Sequence, residues 1–226
     1  MISFNEKRRL MGLLPEFYLM AGIDHAADLR GCGVIEARSA EEVLAAAALG
    51  LGRREIFFTA HTAADTTAVL GKCRIVAESM EDLIAINECA APAAGDGHLT
   101  MVGLRIVADD FANSRHNAIT TSQLRGMVHD IKQLKNISVC GCIVVGDIEG
   151  LHGKELGKFV RSSYQTAKQM TYILPCTMPY ICVADCMEAI ARNEAEHPED
   201  FEDFLTAANI VGMQNVTAFY ADYYIL

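Results

Sequence analysis

Short apolar segments alternate with helix-like segments along almost the whole chain, and this alternation is the feature that most restricts the fold. Residues 56–60, for example, have the length and the aromatic and β-branched content of a buried strand, and a helix-like segment follows them. Parallel strands need a crossover between them, which a helix usually supplies. Eight strands are predicted at residues 17–22, 34–37, 56–60, 74–78, 101–107, 137–145, 180–184 and 216–226, and helices at 40–49, 63–70, 80–89, 120–134, 154–170 and 201–208.

Eight strands that alternate with helices in 226 residues predict an α/β fold. We expect a single domain, residues 1–226, folded as a closed parallel (β/α)8 TIM-type barrel. An open doubly wound sheet is the competing architecture, because local pattern does not establish closure. Ser39, with Glu42 three residues later, predicts a capping box at the start of one helix.

Composition and charge exclude several classes of function. The chain is 51% hydrophobic and 21% charged, with a net charge of -10, and no run of lysine and arginine forms a basic stripe. Nucleic acid and acidic membrane surfaces are therefore not expected partners. No stretch of 18 apolar residues predicts a membrane span. The eight cysteines, in a chain without a recognisable leader, are expected to be reduced thiols, and the predicted compartment is the cytoplasm.

Several segments, in order, carry a resemblance to a known family. They are Phe-Tyr-Leu-Met-Ala-Gly at 17–22, Arg-Ser-Ala-Glu-Glu-Val at 38–43, Ile-Val-Ala-Glu-Ser-Met-Glu-Asp-Leu at 75–83 and Leu-Arg-Ile-Val-Ala-Asp-Asp at 104–110. Together they resemble the barrel of the fold-type III PLP enzymes, the group of alanine racemase and of ornithine and diaminopimelate decarboxylase. The resemblance covers about residues 17–146 and implies an alanine racemase-like barrel.

The catalytic features of that family differ in this chain. The resemblance places Met20 where the family has the lysine that forms a Schiff base with PLP, and Val144 where the decarboxylases have a histidine that stacks on the cofactor. A thioether cannot form an imine. The glycine-rich phosphate cradle and the second, β-rich domain are not recognisable either. The resemblance therefore implies the barrel without its covalent anchor, so that PLP binding, if it occurs, lacks the expected lysine.

The segment from Gly146 to Lys154 is the strongest local signal for a ligand. Gly146, Asp147, Gly150, His152 and Gly153 join a strand to a helix and supply backbone donors next to a helix N-terminus, which suits an anion. The carboxylates in the same segment oppose a phosphate, and a glycine-rich turn can also be only a turn.

Arg105 lies within a strand, on the same face as small and apolar residues. A charge inside a barrel needs a partner, and Glu78 or Asp109 is expected to supply it. Arg105 is therefore either a structural ion pair or a clamp for a substrate carboxylate.

Other chemically active side chains give weaker signals. Cys176 lies between two prolines, and His152 is the candidate base that would activate it. His61 follows a strand and is expected to bind a ligand or to cap the next helix. Cys140 and Cys142 are expected to point the same way as buried thiols, because their spacing does not match a zinc site. No metal site is predicted.

Three classes of function follow from these features. In the preferred one, the barrel is a pseudoenzyme that has lost covalent PLP catalysis and binds a small anionic metabolite or acts as a partner subunit. In the second, it is a PLP enzyme of amino-acid metabolism, a racemase or decarboxylase relative, whose lysine is relocated to Lys72 or Lys154. In the third, it is a non-PLP enzyme that uses Cys176, His152 or Asp147. The aromatic segment 219–224 also predicts a homo-oligomer.

Overall fold

The computed structural model of the protein describes residues 3–14, 16–29, 33–92, 99–112, 117–210, 212 and 221–226. Eight parallel strands form a closed barrel in chain order, and β1 pairs with β8 to close it. The strands are β1 (Phe17–Ala21), β2 (Gly33–Ala37), β3 (Ile56–Thr59), β4 (Arg74–Ala77), β5 (Thr100–Val107), β6 (Ile137–Val145), β7 (Tyr180–Val183) and β8 (Asp222–Ile225). The predicted (β/α)8 barrel is confirmed, and the open sheet is wrong.

Helices surround the barrel and follow the predicted positions with three additions, α1, α2 and α8. They are α1 (Phe4–Met11), α2 (Ala26–Leu29), α3 (Ala40–Ala48), α4 (Ala63–Val69), α5 (Met80–Ala90), α6 (Thr121–Ile131), α7 (Gly153–Ile173), α8 (Cys186–Glu196) and α9 (Phe201–Ala207). None of the helices in the described part of the chain has the length and apolar character needed to cross a membrane. The strand predicted at 216–226 is shorter, and residues 213–220 lie outside the described residues.

Side-chain oxygens at the N-caps explain where several helices begin. Ser39, Thr62, Ser79 and Thr120 each accept a hydrogen bond from the backbone N–H three residues later, which satisfies one of the free donors of the first turn. The capping box predicted at Ser39 is half formed. The carboxylate of Glu42 accepts from the N–H of Arg38, at 2.7 Å, one residue before the cap.

The core has two layers, because successive side chains of a strand point to opposite faces. The outer layer lies between strands and helices, whereas a separate inner cluster fills the barrel. The inner cluster consists of Met20, Val34, Phe57, Val76, Val107, Ile143, Val145, Tyr180, Cys182, Ala184 and Tyr224. The barrel is thus a packed core, and ligands have access only at its two ends.

A bulge in β6 shapes the amino end of the barrel. Val102 pairs with Val139 and Leu104 with Cys142, so that two residues of β6 face one residue of β5. Gly141 has a φ of 73°, a conformation that favours glycine, and it is a bulged residue. The ring of Tyr180 fills the space beside it.

The bulge also changes the direction of the neighbouring thiols. Cys142 belongs to the outer layer, whereas Cys140 lines a cavity at the amino end of the barrel. The prediction that both point the same way is wrong, because Gly141 interrupts the alternation between them. The cysteines in the described part of the chain are free, and most of them are buried.

Candidate functional site

The carboxyl ends of the strands, where barrels of this kind bind their ligands, hold a buried thioether and a group of charged side chains. Met20, on β1, is 0% exposed, and its Sδ lies 3.6 Å from Sγ of Cys182 on β7. Burial raises the pKa of the Cys182 thiol. In the part of the chain that the structure describes, the floor of this end is therefore an uncharged pair of sulfur atoms without an amine.

Above this floor, Arg105 is held between two carboxylates. Its Nη2 lies 3.0 Å from Oε1 of Glu36, and its Nε lies 3.0 Å from Oε1 of Glu78. All three side chains are mostly buried, with 18%, 22% and 15% of their surface exposed. Glu78 is one of the two partners that the sequence predicts, and Glu36 is an additional one. The side chain of Asp109 lies outside the described residues.

The electrostatics of this triad are net negative. Burial raises the pKa of Glu36, because desolvation outweighs the attraction of Arg105. The two carboxylates occupy the guanidinium from two sides, so that Arg105 is committed to contacts within the protein. Of the two interpretations of Arg105, a structural ion pair or a substrate clamp, the arrangement favours the structural ion pair.

A cavity of about 380 Å³ opens beside the triad, at the carboxyl ends of β1, β2, β7 and β8. Its charged lining is mixed in sign, since α1 contributes a lysine and the segment after β7 contributes acidic groups. Asp185, the N-cap residue before α8, has a φ of 57° and lies exposed at this cavity. The lining includes Lys7, Glu36, Arg38, Asp185, Glu188 and Leu226.

The lysines are distributed differently from the prediction. Lys7, which the sequence does not single out, lines the cavity at the carboxyl end. Lys72 donates to the carbonyl of Ala68, at 3.3 Å, and stands just before β4, at the amino end of the barrel. The prediction that Lys72 serves this site is therefore wrong. Lys154 is exposed in the first turn of α7.

The first part of the predicted glycine-rich loop is packed into the protein. Gly146 is buried so closely against Phe159 and Phe111 that a Cβ there would overlap both side chains. The N–H of Asp147 donates to the carbonyl of Phe111, at 2.7 Å. These glycine and amide groups therefore serve packing and turn formation.

The second part of the loop leads into α7, and its helix N-terminus already has a protein ligand. Gly150 and Gly153 have φ values of 76° and 50°, which explains glycine at both positions. The N–H of Gly153 donates to Oδ1 of Asn193, a side chain that is 1% exposed. The amide expected to bind an anion is thus occupied by α8.

His152 forms a cluster with residues of the α8–α9 connection. Its Nδ1 lies 2.8 Å from Oδ2 of Asp200, and its ring stacks on that of His197 with centroids 4.1 Å apart. The ligand atoms of these three residues lie within 4.8 Å of one another. The rings are inclined by only 17°, however, so that their lone pairs run nearly parallel instead of converging on one ion.

Cys176 is not near His152, and the predicted nucleophile–base pair is wrong. The two residues flank α7, a helix of 21 residues that is about 30 Å long. Cys176 precedes β7 and therefore lies at the amino end of the barrel, not at the carboxyl end where barrels of this kind bind their ligands. Burial raises the pKa of its thiol to about 11, which leaves little thiolate at neutral pH.

The remaining histidine candidate lies at the carboxyl end but makes no contact that defines a role. His61 follows β3 and is exposed. The helix after it is capped by Thr62, whose Oγ1 accepts from the N–H of Asp65 at 3.1 Å, so that His61 is not the cap. Whether His61 binds a ligand stays a prediction.

Solved structures of PLP-dependent enzymes share this fold. The arginine decarboxylase of Paramecium bursaria Chlorella virus superposes with a TM-score of 0.68 and 13% identity, over 98% of this chain and 60% of that one. The diaminopimelate decarboxylase of Helicobacter pylori, solved with L-lysine, superposes with a TM-score of 0.67 and 13% identity, over 99% and 61%. The chain thus spans about three fifths of the length of these decarboxylases.

A shorter protein matches over almost its whole length. PipY of Synechococcus elongatus, solved without PLP, superposes with a TM-score of 0.59 and 12% identity, over 97% of this chain and 96% of that one. No protein-family model matches the sequence, and no curated protein does. The likeness is one of three-dimensional structure, and at these identities it shows the fold. The chain has the fold of the alanine racemase-like barrels of the fold-type III PLP proteins.

Proposed function

We propose that this barrel binds a small metabolite at the carboxyl ends of its strands and does not form an imine with PLP. The observation that carries the proposal is Met20, which is fully buried at the floor of the site and bears no amine. In the related fold, a lysine on the first strand is the covalent anchor. A thioether in contact with a buried thiol cannot replace it.

The residues around Met20 do not fit PLP in other respects. PLP needs an amine for its aldehyde and an anion site for its phosphate. Arg105 is already held by Glu36 and Glu78, and the N–H of Gly153 is taken by Asn193. An additional anion at the triad would meet two carboxylates. These contacts support a non-covalent function for this end of the barrel.

The charges of the cavity indicate the class of metabolite. The sequence predicts an anionic one, and Lys7 and Arg38 supply cations for an acidic group. Glu36 and Asp185 line the same cavity and favour an ammonium group. We therefore propose a metabolite that carries both groups, as an amino acid does. The diaminopimelate decarboxylase mentioned above was solved with L-lysine, and the viral arginine decarboxylase was also solved with agmatine, both of which are amines.

Calorimetric titration with L-lysine, agmatine and succinate tests this proposal. We expect L-lysine to bind more tightly than succinate, and Asp185→Asn to weaken L-lysine binding about tenfold through the loss of one charge-assisted hydrogen bond. Asparagine tolerates the positive φ of this position. Asp203→Asn, on the exposed face of α9, is the matched control. Failure of all three compounds to bind would contradict the proposal.

A second function is favoured by one observation, the presence of Lys7 at the cavity. If Lys7 were a relocated anchor, the protein would be a PLP enzyme related to racemases or decarboxylases. Borohydride reduction in the presence of PLP, followed by peptide mapping, tests this function. An adduct on Lys7 that is lost in Lys7→Gln and retained in Lys154→Gln would establish it, and an unmodified Lys7 would exclude it.

Self-association is a further part of the proposal. The aromatic residues predicted to form the contact are only partly described, and Tyr223 is 1% exposed, so that its ring is not a free surface. A homo-oligomer would instead have to use exposed apolar side chains such as Tyr18 and Tyr172, which are 49% and 76% exposed. Light scattering after size-exclusion chromatography tests it, and a monomer at micromolar concentration would exclude it.

A further inference from the structure

The amino ends of the strands, opposite to the site described above, surround a second cavity of about 420 Å³. Three arginines line it. Arg53 and Arg54 belong to the short 3-10 helix before β3, and Arg74 is the first residue of β4. Because β3 and β4 are neighbours in the barrel, the pairing of the two strands brings these three residues to one place. In a chain with a net charge of -10, this is a local concentration of positive charge.

Arg74 is held in place by aromatic rings. Its guanidinium carbon lies 4.6 Å from the ring centroid of Tyr180 and 4.9 Å from that of Phe57, and the ring of Tyr224 is 5.6 Å away. Cation–π contacts fix the group, and the hydroxyl of Tyr224 is a hydrogen-bond partner for part of it. Nη1 of Arg74 is buried and has no hydrogen-bond partner. A buried donor without an acceptor is costly, and an oxygen of a ligand would satisfy it.

The other two arginines have no acidic partner among the described residues. Arg53 and Arg54 are exposed at the edge of the cavity, and no carboxylate oxygen in the described part of the chain lies within 4.0 Å of their guanidinium groups. Asp222, on β8, also lines this cavity. Its single negative charge does not offset the three arginines, so the net charge of the lining is positive. These arginines contrast with Arg105, which forms ion pairs with two carboxylates.

We propose that this cavity binds a small organic phosphate. Three guanidinium groups present donors in the planar geometry that matches phosphate oxygens. Met101, Pro179 and Tyr180 give the cavity an apolar wall for the organic part, and the carboxylate of Asp222 accepts a hydrogen bond from a hydroxyl group. The site is separate from the carboxyl-end cavity, so that its ligand does not depend on the function proposed there.

Calorimetric titration of the full chain at low ionic strength tests the proposal. The probes are inorganic phosphate and glycerol 2-phosphate, with glycerol as the neutral control. We expect glycerol 2-phosphate to bind, glycerol not to bind, and the affinity to fall as sodium chloride is added, because the interaction is electrostatic. Binding of the ester more tightly than of phosphate would show that the apolar wall contributes.

Substitutions locate the site. The double variant Arg53→Gln/Arg54→Gln should weaken binding of glycerol 2-phosphate at least tenfold, because two charged donors are lost. Arg125→Gln, an exposed arginine on α6, is the matched control and should leave the affinity unchanged. The test avoids Arg74, whose replacement would disturb the aromatic stack. Failure of glycerol 2-phosphate to bind the unmodified protein, or an equal loss in both variants, would overturn the proposal.

Discussion

Replacing Gly103 by alanine adds a methyl group where the hydroxyl of Tyr180 lies. Gly103 is on β5, and an added Cβ would overlap Oη of Tyr180, whereas the next protein atoms are the ring Cζ at 3.3 Å and the carbonyl of Cys140 at 3.6 Å. The ring cannot move away, because Gly141 lies so close to it that a Cβ there would also overlap the ring. The clash is therefore confined to one oxygen atom.

The magnitude follows from two opposing effects. Overpacking a buried site costs about 1–3 kcal/mol, and we take the upper end because the ring is held by glycine backbone. Replacement of a strand glycine by alanine recovers about 0.5–1 kcal/mol of backbone entropy. The expected loss in the free energy of unfolding is about 2 kcal/mol, which lowers the melting temperature by about 4–8 °C in a chain of this size.

Urea denaturation of four proteins measures the effect: the unmodified protein, Gly103→Ala, Tyr180→Phe and the double variant. Removing the hydroxyl should relieve most of the cost of the alanine, with a coupling energy of about 1–2 kcal/mol. Gly126→Ala, on α6 with nothing within 4 Å of its added Cβ, is the control and should stabilise the protein by up to about 1 kcal/mol. Equal destabilisation by Gly103→Ala in both backgrounds would refute the reasoning.

Three other predictions concern charges and thiols. Arg105→Met should lower the free energy of unfolding by about 3 kcal/mol at neutral pH, because it leaves two buried carboxylates unpaired. Combining it with Glu36→Gln and Glu78→Gln should restore most of the lost stability, measured by denaturant unfolding. The pKa of Glu36 is raised, so the folded protein binds the proton of this carboxyl group more tightly than the unfolded protein does. The contribution of Glu36 to the free energy of unfolding therefore falls as the pH rises above 4.5, the ordinary pKa of a glutamate. Glu36→Gln should therefore show a smaller decline over that range than the unmodified protein, and an unchanged pH profile would contradict the raised pKa. Burial raises the pKa values of Cys140 and Cys176 to about 11, so both thiols should react slowly with iodoacetamide at neutral pH until the protein is unfolded. Selective, rapid alkylation of Cys176 in the folded protein would contradict this prediction.

The strands and most helices could be predicted because their signals are local. The N-caps Ser39 and Ser79 mark helix starts by side-chain chemistry that does not depend on distant residues. Closure of the barrel was predicted from the count of strands, and its physical basis is the pairing of β1 with β8, which joins residues at opposite ends of the chain. Local pattern cannot prove such a contact.

The contacts of the site were harder to predict, because they join distant segments. Glu36 lies 69 residues before Arg105, and strand alternation alone does not show which carboxylate reaches the guanidinium. The anion site predicted at Gly153 failed for a related reason, since the side chain of Asn193 comes from 40 residues away. Lys7 could have been noticed only by knowing that α1 packs beside β1 and α8.

The two cysteines around Gly141 show a different limit. Strict alternation predicts that Cys140 and Cys142 share a face, but one residue with a φ of 73° inserts a bulge and separates them. A glycine within an apolar strand was the available signal, since it often marks such a bulge.

The mass of the intact protein after incubation with PLP and reduction by borohydride tests the central claim most directly. With one equivalent of PLP, our account predicts no stoichiometric adduct at the carboxyl-end cavity, because Met20 offers no amine at the floor of the barrel and the charges around Arg105 do not fit the cofactor. A stoichiometric increase in mass, mapped to a lysine at the carboxyl-end cavity, would contradict the account and identify the protein as a PLP enzyme with a relocated anchor.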